Sequence, residues 1–210
     1  ILREKKMLTT DSTYREMTEN PGVMKYLGLF IPPIFTKIVG EELWDFTFNE
    51  LRSKLTMPWG APFLAEMYVE AANISLEVSE GKRLLIIPLW NEDEYEGPYE
   101  EGTKDNVCII TSYEKHEKKC PAVIIAPGGG YRAVSPKKEG IPYAEVLEKE
   151  GFKAFSVNYR VAPNCYPSPQ KDLALAIKYV KANAEKWNID PENIITIGSS
   201  AGGHLCASHD

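Results

Sequence analysis

A chain of 210 residues, 43% hydrophobic and 26% charged, is long enough to bury a core and allows one to two domains. A net charge of −6 and no cluster of Lys and Arg argue against a nucleic-acid partner. No apolar run of roughly 18 residues and no signal-peptide pattern point to a cytoplasmic protein without a membrane partner.

In chain order, Thr13 and Glu16 have the spacing of a capping box, and the short helix they open should stop before Pro21. Val23, Met24, Leu27 and Phe30/Ile31 recur at helical spacing. Leu43, Phe46, Phe48 and Leu51 suggest another helix, and Phe63, Met67 and Ala71 a third. Residues 1–78 are therefore expected to form a small helical module whose aromatics pack a core.

Beyond it, composition switches to apolar runs alternating with helical patterns, and residues 79–210 are expected to form a second domain. Strands are expected at Arg83–Leu89, Val107–Tyr113, Ala122–Ala126, Phe152–Tyr159 and Asn193–Ile197. The acidic stretch Asn91–Asn106 reads as a loop, and Asp190-Pro191 as a turn. Pro142–Glu150 reads as a helix, and Pro169–Trp187 as a long amphipathic one with Leu173, Ala176, Ile177 and Val180 on one face. This alternation predicts a mostly parallel sheet with helices on both faces. The cysteines Cys108, Cys120, Cys165 and Cys206 show no C-x-x-C spacing, which fits a reducing compartment and no metal site. Lys115–Lys119 reads as a solvated loop.

Two glycine features carry chemistry. Gly198-Ser199-Ser200-Ala201-Gly202 follows a β-branched run, which is the pattern of a nucleophile elbow with Ser200 at its tip. Gly128-Gly129-Gly130 follows the expected third strand. In acyl transfer, negative charge develops on the carbonyl oxygen, and N–H groups unobstructed by side chains must face it. Gly129, Gly130 and Ala201 can supply such an oxyanion hole. The glycine run lacks the lysine of a phosphate-binding loop, so no nucleotide cofactor is expected.

These motifs resemble the α/β-hydrolase esterases related to acetyl-xylan and other carbohydrate acetyl esterases. The matching residues are Ile87–Trp90, Pro127–Tyr131, Glu139-Gly140, Asn158–Pro163, Pro167 with Asp172, Ile189–Pro191 and Gly198–Leu205. Pro127 stands where the lipase branch has histidine. The resemblance implies an α/β-hydrolase fold, incomplete in this chain and preceded by the helical module. It further implies a Ser–Asp–His triad, no cofactor, and hydrolysis of short acyl esters such as acetylated sugars. In that layout the triad acid and base follow the serine and are not in this chain.

The local histidines do not fill the gap. His116 reads as a surface residue, and His204 matches a position that is not the triad base. His209 with Asp210 would lie roughly 13 Å along the helix from Ser200, whereas a base must come within about 3 Å. Asp172 is expected to cap a helix and brace a loop. Two other readings remain open at this level: a non-catalytic scaffold that kept the fold, and a peptidase of the same fold. Finally, a fifth strand ending the sheet would leave one backbone edge open beside Ile194, Ile195 and Ile197.

Overall fold

The computed structural model describes residues 7–31, 33–57, 60–91, 104 and 106–208. The chain forms two compact units, Ile1–Arg83 and Leu84–Asp210, so the boundary lies a few residues beyond the expected 78/79.

The first unit is built of short helices: α1 (Tyr14–Thr18), α2 (Pro21–Met24), α3 (Leu27–Phe30), α4 (Pro33–Thr36), α5 (Phe48–Lys54) and α6 (Ala65–Ser79). The capping box at Thr13 is complete: Thr13 accepts from Glu16 N–H, and the Glu16 carboxylate accepts from Thr13 N–H at 2.8 Å. Thr47 and Glu50 repeat the device at α5. The single helix expected over Leu43–Leu51 is instead a 3-10 turn (Glu41–Leu43) and α5, because Thr47 satisfies the new N-terminus. The aromatics do pack a core: Tyr14, Phe48, Phe63 and Tyr68 are buried, with Phe63 stacked on Tyr68 at 4.5 Å.

Among the described residues the second unit forms a five-stranded sheet in the order β1-β2-β4-β3-β5. The strands are β1 (Leu84–Pro88), β2 (Cys108–Ser112), β3 (Cys120–Ala126), β4 (Lys153–Asn158) and β5 (Ile189–Gly198). Only β4, β3 and β5 run parallel; β2 is antiparallel to both β1 and β4. The mostly parallel sheet expected from the alternation is therefore mixed. The physical reason is connection length: β2 and β3 flank β4, and residues 113–119 that join them are too few to carry the chain back along the sheet, so β2 runs opposite to β3 and hence to β4. Most of the Asn91–Asn106 segment, expected to be a loop, lies outside the described residues.

The parallel part has its crossovers. The helix α7 (Ile141–Lys149) joins β3 to β4, and α8 (Ser168–Ala182) with α9 (Ala184–Trp187) joins β4 to β5. The long helix expected over Pro169–Trp187 is thus broken at Asn183, whose side chain donates to the Tyr179 carbonyl at 2.9 Å. Side chains alternate along β3. Ala122, Ile124 and Ala126 face the larger core with Leu173, Ala176 and Val180 of α8, and Val123 and Ile125 face Ala144 and Leu147 of α7. Both faces of the sheet thus carry helices.

β5 begins earlier than expected. Asp190-Pro191 lies inside the strand at a register shift against β3 between Cys120 and Ala122. Among the described residues β5 has no partner on its other side, so a proline without an N–H is tolerated there. The pairing Ala126↔Gly198 then starts the loops leaving β3 and β5 side by side. That register positions the site.

Candidate active site

β5 ends at Gly198, and the helix α10 (Ala201–Ala207) begins three residues later. Ser200 occupies the turn with φ 50° and ψ −121°, backbone values that a side-chain-bearing residue rarely adopts. Its side chain is exposed. Close packing forces this sharp turn. A Cβ on Gly198 would overlap the Gly202 carbonyl, and one on Gly202 would overlap the Ala126 carbonyl and come within 2.7 Å of the Pro127 oxygen. The helix therefore lies almost on the strand ends. Ala201, as the first helical residue, has an N–H with no intrahelical acceptor.

The opposing loop leaves β3 at Pro127. Gly129 has φ +147° and Gly130 φ +63°, and Tyr131 also takes a left-handed φ of +55°. Gly129 cannot carry a side chain, since its Cβ would overlap the Ala133 carbonyl. The Gly129 carbonyl accepts from Arg132 and Ala133 N–H, and Gly128 O from Ser135 N–H, so the loop closes on itself. A Cβ on Gly128 would lie 3.1 Å from the Ser200 Cβ. The structure thus brings the glycine loop and Ser200 together, as the motif pairing requires.

Two side-chain bridges tie the loop to the elbow. Glu139, from the π-helical turn Pro136–Gly140, accepts from Gly128 N–H at 2.7 Å and from the Ser199 hydroxyl with the same oxygen. These bonds hold its carboxyl below the usual range, the Ser199 bond contributing most. On the outer side, the Tyr131 hydroxyl meets His204 Nδ1 at 2.9 Å, with the rings edge to face at 5.9 Å. Tyr131 also packs edge-on against Tyr159, whose hydroxyl donates to the Pro127 carbonyl at 2.6 Å. His204 is therefore engaged with the loop tyrosine. Neither bridge was singled out from the sequence. The only signal was the presence of Glu139, Tyr131 and His204 inside the stretches that carry the family resemblance.

The remaining candidates sit elsewhere. His116 lies between β2 and β3 and is half-buried, with Nε2 3.0 Å from the Phe152 carbonyl. That is the opposite end of the parallel strands from Ser200, and the residue is tied to the fold rather than free on the surface. Asp172 braces as expected but does not cap. It is the fifth residue of α8, beyond the first turn, fully buried, and takes Arg160 Nη2 at 2.8 Å, Arg160 N–H at 2.8 Å and Trp90 Nε1 at 2.8 Å. α8 has no side-chain cap: its N-cap residue is Pro167, and Asp172 sits too far into the helix to serve as one. His209 and Asp210, expected to lie too far along the helix, fall outside the described residues. The four cysteines are free, and burial pushes the Cys108 thiol up to about 12, so it is no nucleophile near neutral pH. Among the described residues no three His, Cys, Asp or Glu side chains form a metal-binding group. None of the described helices is long and apolar enough to cross a membrane.

The second unit is similar to known proteins. The BD-FAE family matches residues 109–209. The chain is 38% identical over 106 residues to an acetylxylan esterase of Xylanibacter ruminicola, a match covering 50% of this chain and 21% of that one. The chain has an α/β-hydrolase fold and is similar to the acetylxylan esterases. It is also 36% identical over 91 residues to the esterase LipC of Mycobacterium tuberculosis, covering 43% of this chain and 23% of LipC. Among solved structures, an acetyl ester-xyloside bifunctional hydrolase from Caldicellulosiruptor lactoaceticus aligns with a TM-score of 0.50 and 34% identity. That alignment covers 59% of this chain and 45% of the other. The chain therefore spans between about a fifth and a half of the lengths of these relatives.

Proposed function

We propose that the protein is a serine esterase that removes short acyl groups, acetyl above all, from carbohydrates. The observation that carries this reading is Ser200, exposed at φ 50° on the turn between β5 and α10 and packed against the glycine loop after β3. The related acetylxylan esterase and acetyl ester-xyloside hydrolase support the choice of substrate class. In the proposed reaction the Ser200 hydroxyl attacks the ester carbonyl and loses its proton to a histidine. The resemblance places that histidine and the acid orienting it after the serine in the sequence. The carbonyl oxygen gains negative charge as the tetrahedral intermediate forms, and the N–H groups of Gly129, Gly130 and Ala201 receive it. Each such donor contributes about 3–4 kcal/mol to lowering the barrier. The α10 N-terminus beneath Ser200 adds a favourable dipole. Collapse of the intermediate expels the sugar alcohol, which takes the proton from histidine, and water then releases acetate from Ser200.

The test is a fluorophosphonate probe on the intact protein encoded by the gene, with the adduct mapped by mass spectrometry. Labelling at Ser200, abolished in Ser200→Ala, is expected together with Ser200-dependent acetate release from acetylated xylan. Labelling at Ser199, or acetate release undiminished in Ser200→Ala, would refute the assignment.

A further inference from the structure

We propose that Glu139 is a positioning residue of this site: one of its carboxylate oxygens joins the oxyanion loop to the nucleophile elbow and sets where the loop's donors stand relative to Ser200. The proposal rests on the esterase reading and adds to it a residue 61 positions before the serine.

The geometry is specific. Oε2 of Glu139 accepts from Gly128 N–H, the first N–H of the glycine run, at 2.7 Å, and from the Ser199 hydroxyl. Gly128 itself is the point of closest approach. A Cβ there would lie 2.8 Å from Glu139 Oε2, 3.0 Å from the Ser199 carbonyl and 3.1 Å from the Ser200 Cβ. Loop, elbow and carboxylate thus converge in the space of one missing methyl group. The direct backbone tie near this point is long, with Ser199 N–H 3.4 Å from the Ala126 carbonyl. Hydrogen bonds to an ionised acceptor are about twice as strong as neutral ones. The carboxylate therefore carries more of the connection than that backbone contact does.

Glu139 is anchored at its own end. Its N–H donates to the Ser135 carbonyl at 2.9 Å, while Ser135 N–H donates to Gly128 O at 3.2 Å. The next residue, Gly140, lies so close to Pro127 that a Cβ would sit 3.3 Å from the Pro127 Cγ. Residues 128 to 139 therefore form a closed ring of contacts that Glu139 links to Ser199 and Tyr131 to His204. Holding the first N–H of the run fixes the plane of that peptide, and Gly129 and Gly130 follow it with positive φ. Carboxylate oxygens only accept, so both donors are satisfied without competition for a proton. A misplacement of about 1 Å in such donors costs about a hundredfold in rate.

The experiment uses the intact protein with Glu139→Ala and Glu139→Gln. The readouts are steady-state hydrolysis of p-nitrophenyl acetate and amide hydrogen exchange over residues 127–133 and 198–202. Glu139→Ala should lower kcat by about 10- to 100-fold with KM changed by less than about threefold, because a displaced donor is lost chiefly in the transition state. Its Gly128 amide should exchange about tenfold faster or more. Glu139→Gln keeps an oxygen able to accept both bonds and should recover kcat to within about fivefold of the parent. Glu139→Ala with kcat within about twofold of the parent, or Glu139→Gln as impaired as alanine, would overturn the proposal. Absence of Ser200-dependent turnover in the parent would overturn the esterase reading. Unchanged exchange in Glu139→Ala would overturn the clamp whichever way turnover falls.

Discussion

Asp172→Ala is a demanding test of how the second unit holds its site. The Asp172 and Arg160 side chains are both fully buried, and the carboxylate takes Arg160 Nη2 at 2.8 Å and Nε at 2.9 Å, the Arg160 N–H and the Trp90 indole. Removing it takes the charged acceptor away from a buried guanidinium, a backbone N–H and an indole N–H and leaves a cavity. Breaking a buried pair from one side costs about 3–5 kcal/mol. Against a total of about 5–15 kcal/mol this is a large fraction of the stability. Denaturant unfolding should show that loss as a lower midpoint. The damage should also reach the site, because Arg160 precedes Ala162, whose N–H donates to the Tyr131 carbonyl of the glycine loop at 2.8 Å. Probe labelling of Ser200 should therefore slow even where the variant remains folded. Arg160→Met combined with Asp172→Leu removes both charges and fills the space, so it should lose less than Asp172→Ala alone. A loss below about 1 kcal/mol for Asp172→Ala, or a double variant less stable than the single one, would refute this account of the pair.

Other perturbations read separate parts of the structure. Gly202→Ala must push α10 away from the Ala126 carbonyl; we expect a loss of about 1–3 kcal/mol by denaturant unfolding and labelling of Ser200 slowed about a hundredfold. The Glu139 carboxyl, held below its ordinary value of 4.5, contributes stability that is fully present above that value and lost as pH falls through its lowered folded-state value. Melting temperatures of the parent should therefore drop more steeply in acid than those of Glu139→Gln. Thr13→Ala removes a complete capping box and should cost the first unit about 1 kcal/mol, read as faster amide exchange over residues 14–18. The side of β5 that has no strand partner among the described residues, with Ile195 47% exposed, should make the 210-residue chain self-associate in size-exclusion chromatography, less so as Ile195→Lys; a monomer at every concentration would contradict this.

Local rules carried much of the fold. The box at Thr13 and Glu16 is contained in four consecutive residues, and the α8 stripe of Leu173, Ala176 and Val180 in eight, so both were legible without tertiary knowledge. The sheet's mixed direction was less so, because periodicity reports which residues face a core and not which way the neighbouring strand runs. Asp190-Pro191 misled for a related reason. The pair reads as a turn in isolation, and only its place beside an unpaired edge lets a strand absorb it.

The site divides along the same line. The requirement for glycine at 198, 202 and 129 comes from backbone packed on backbone, so it shows in the sequence as missing side chains beside a serine. Glu139 and Tyr131 act through the opposite circumstance. Their partners are a backbone N–H, a small hydroxyl and an imidazole that chain order places 11, 60 and 73 residues away. A backbone N–H has no residue identity, and a serine beside the nucleophile is unremarkable by itself. The elbow could therefore be read as chemistry, whereas what holds the loop against it became visible only when β3 and β5 were set in register at Ala126 and Gly198. If that register governs the site, a variant that shifts it should lose Ser200 labelling while every motif residue remains in place. Inserting one residue between Asn193 and Ile194, at the end of the Asp190-Pro191 irregularity, is such a variant. Labelling at the parental rate in that insertion would show that the elbow and loop assemble without the strand pairing.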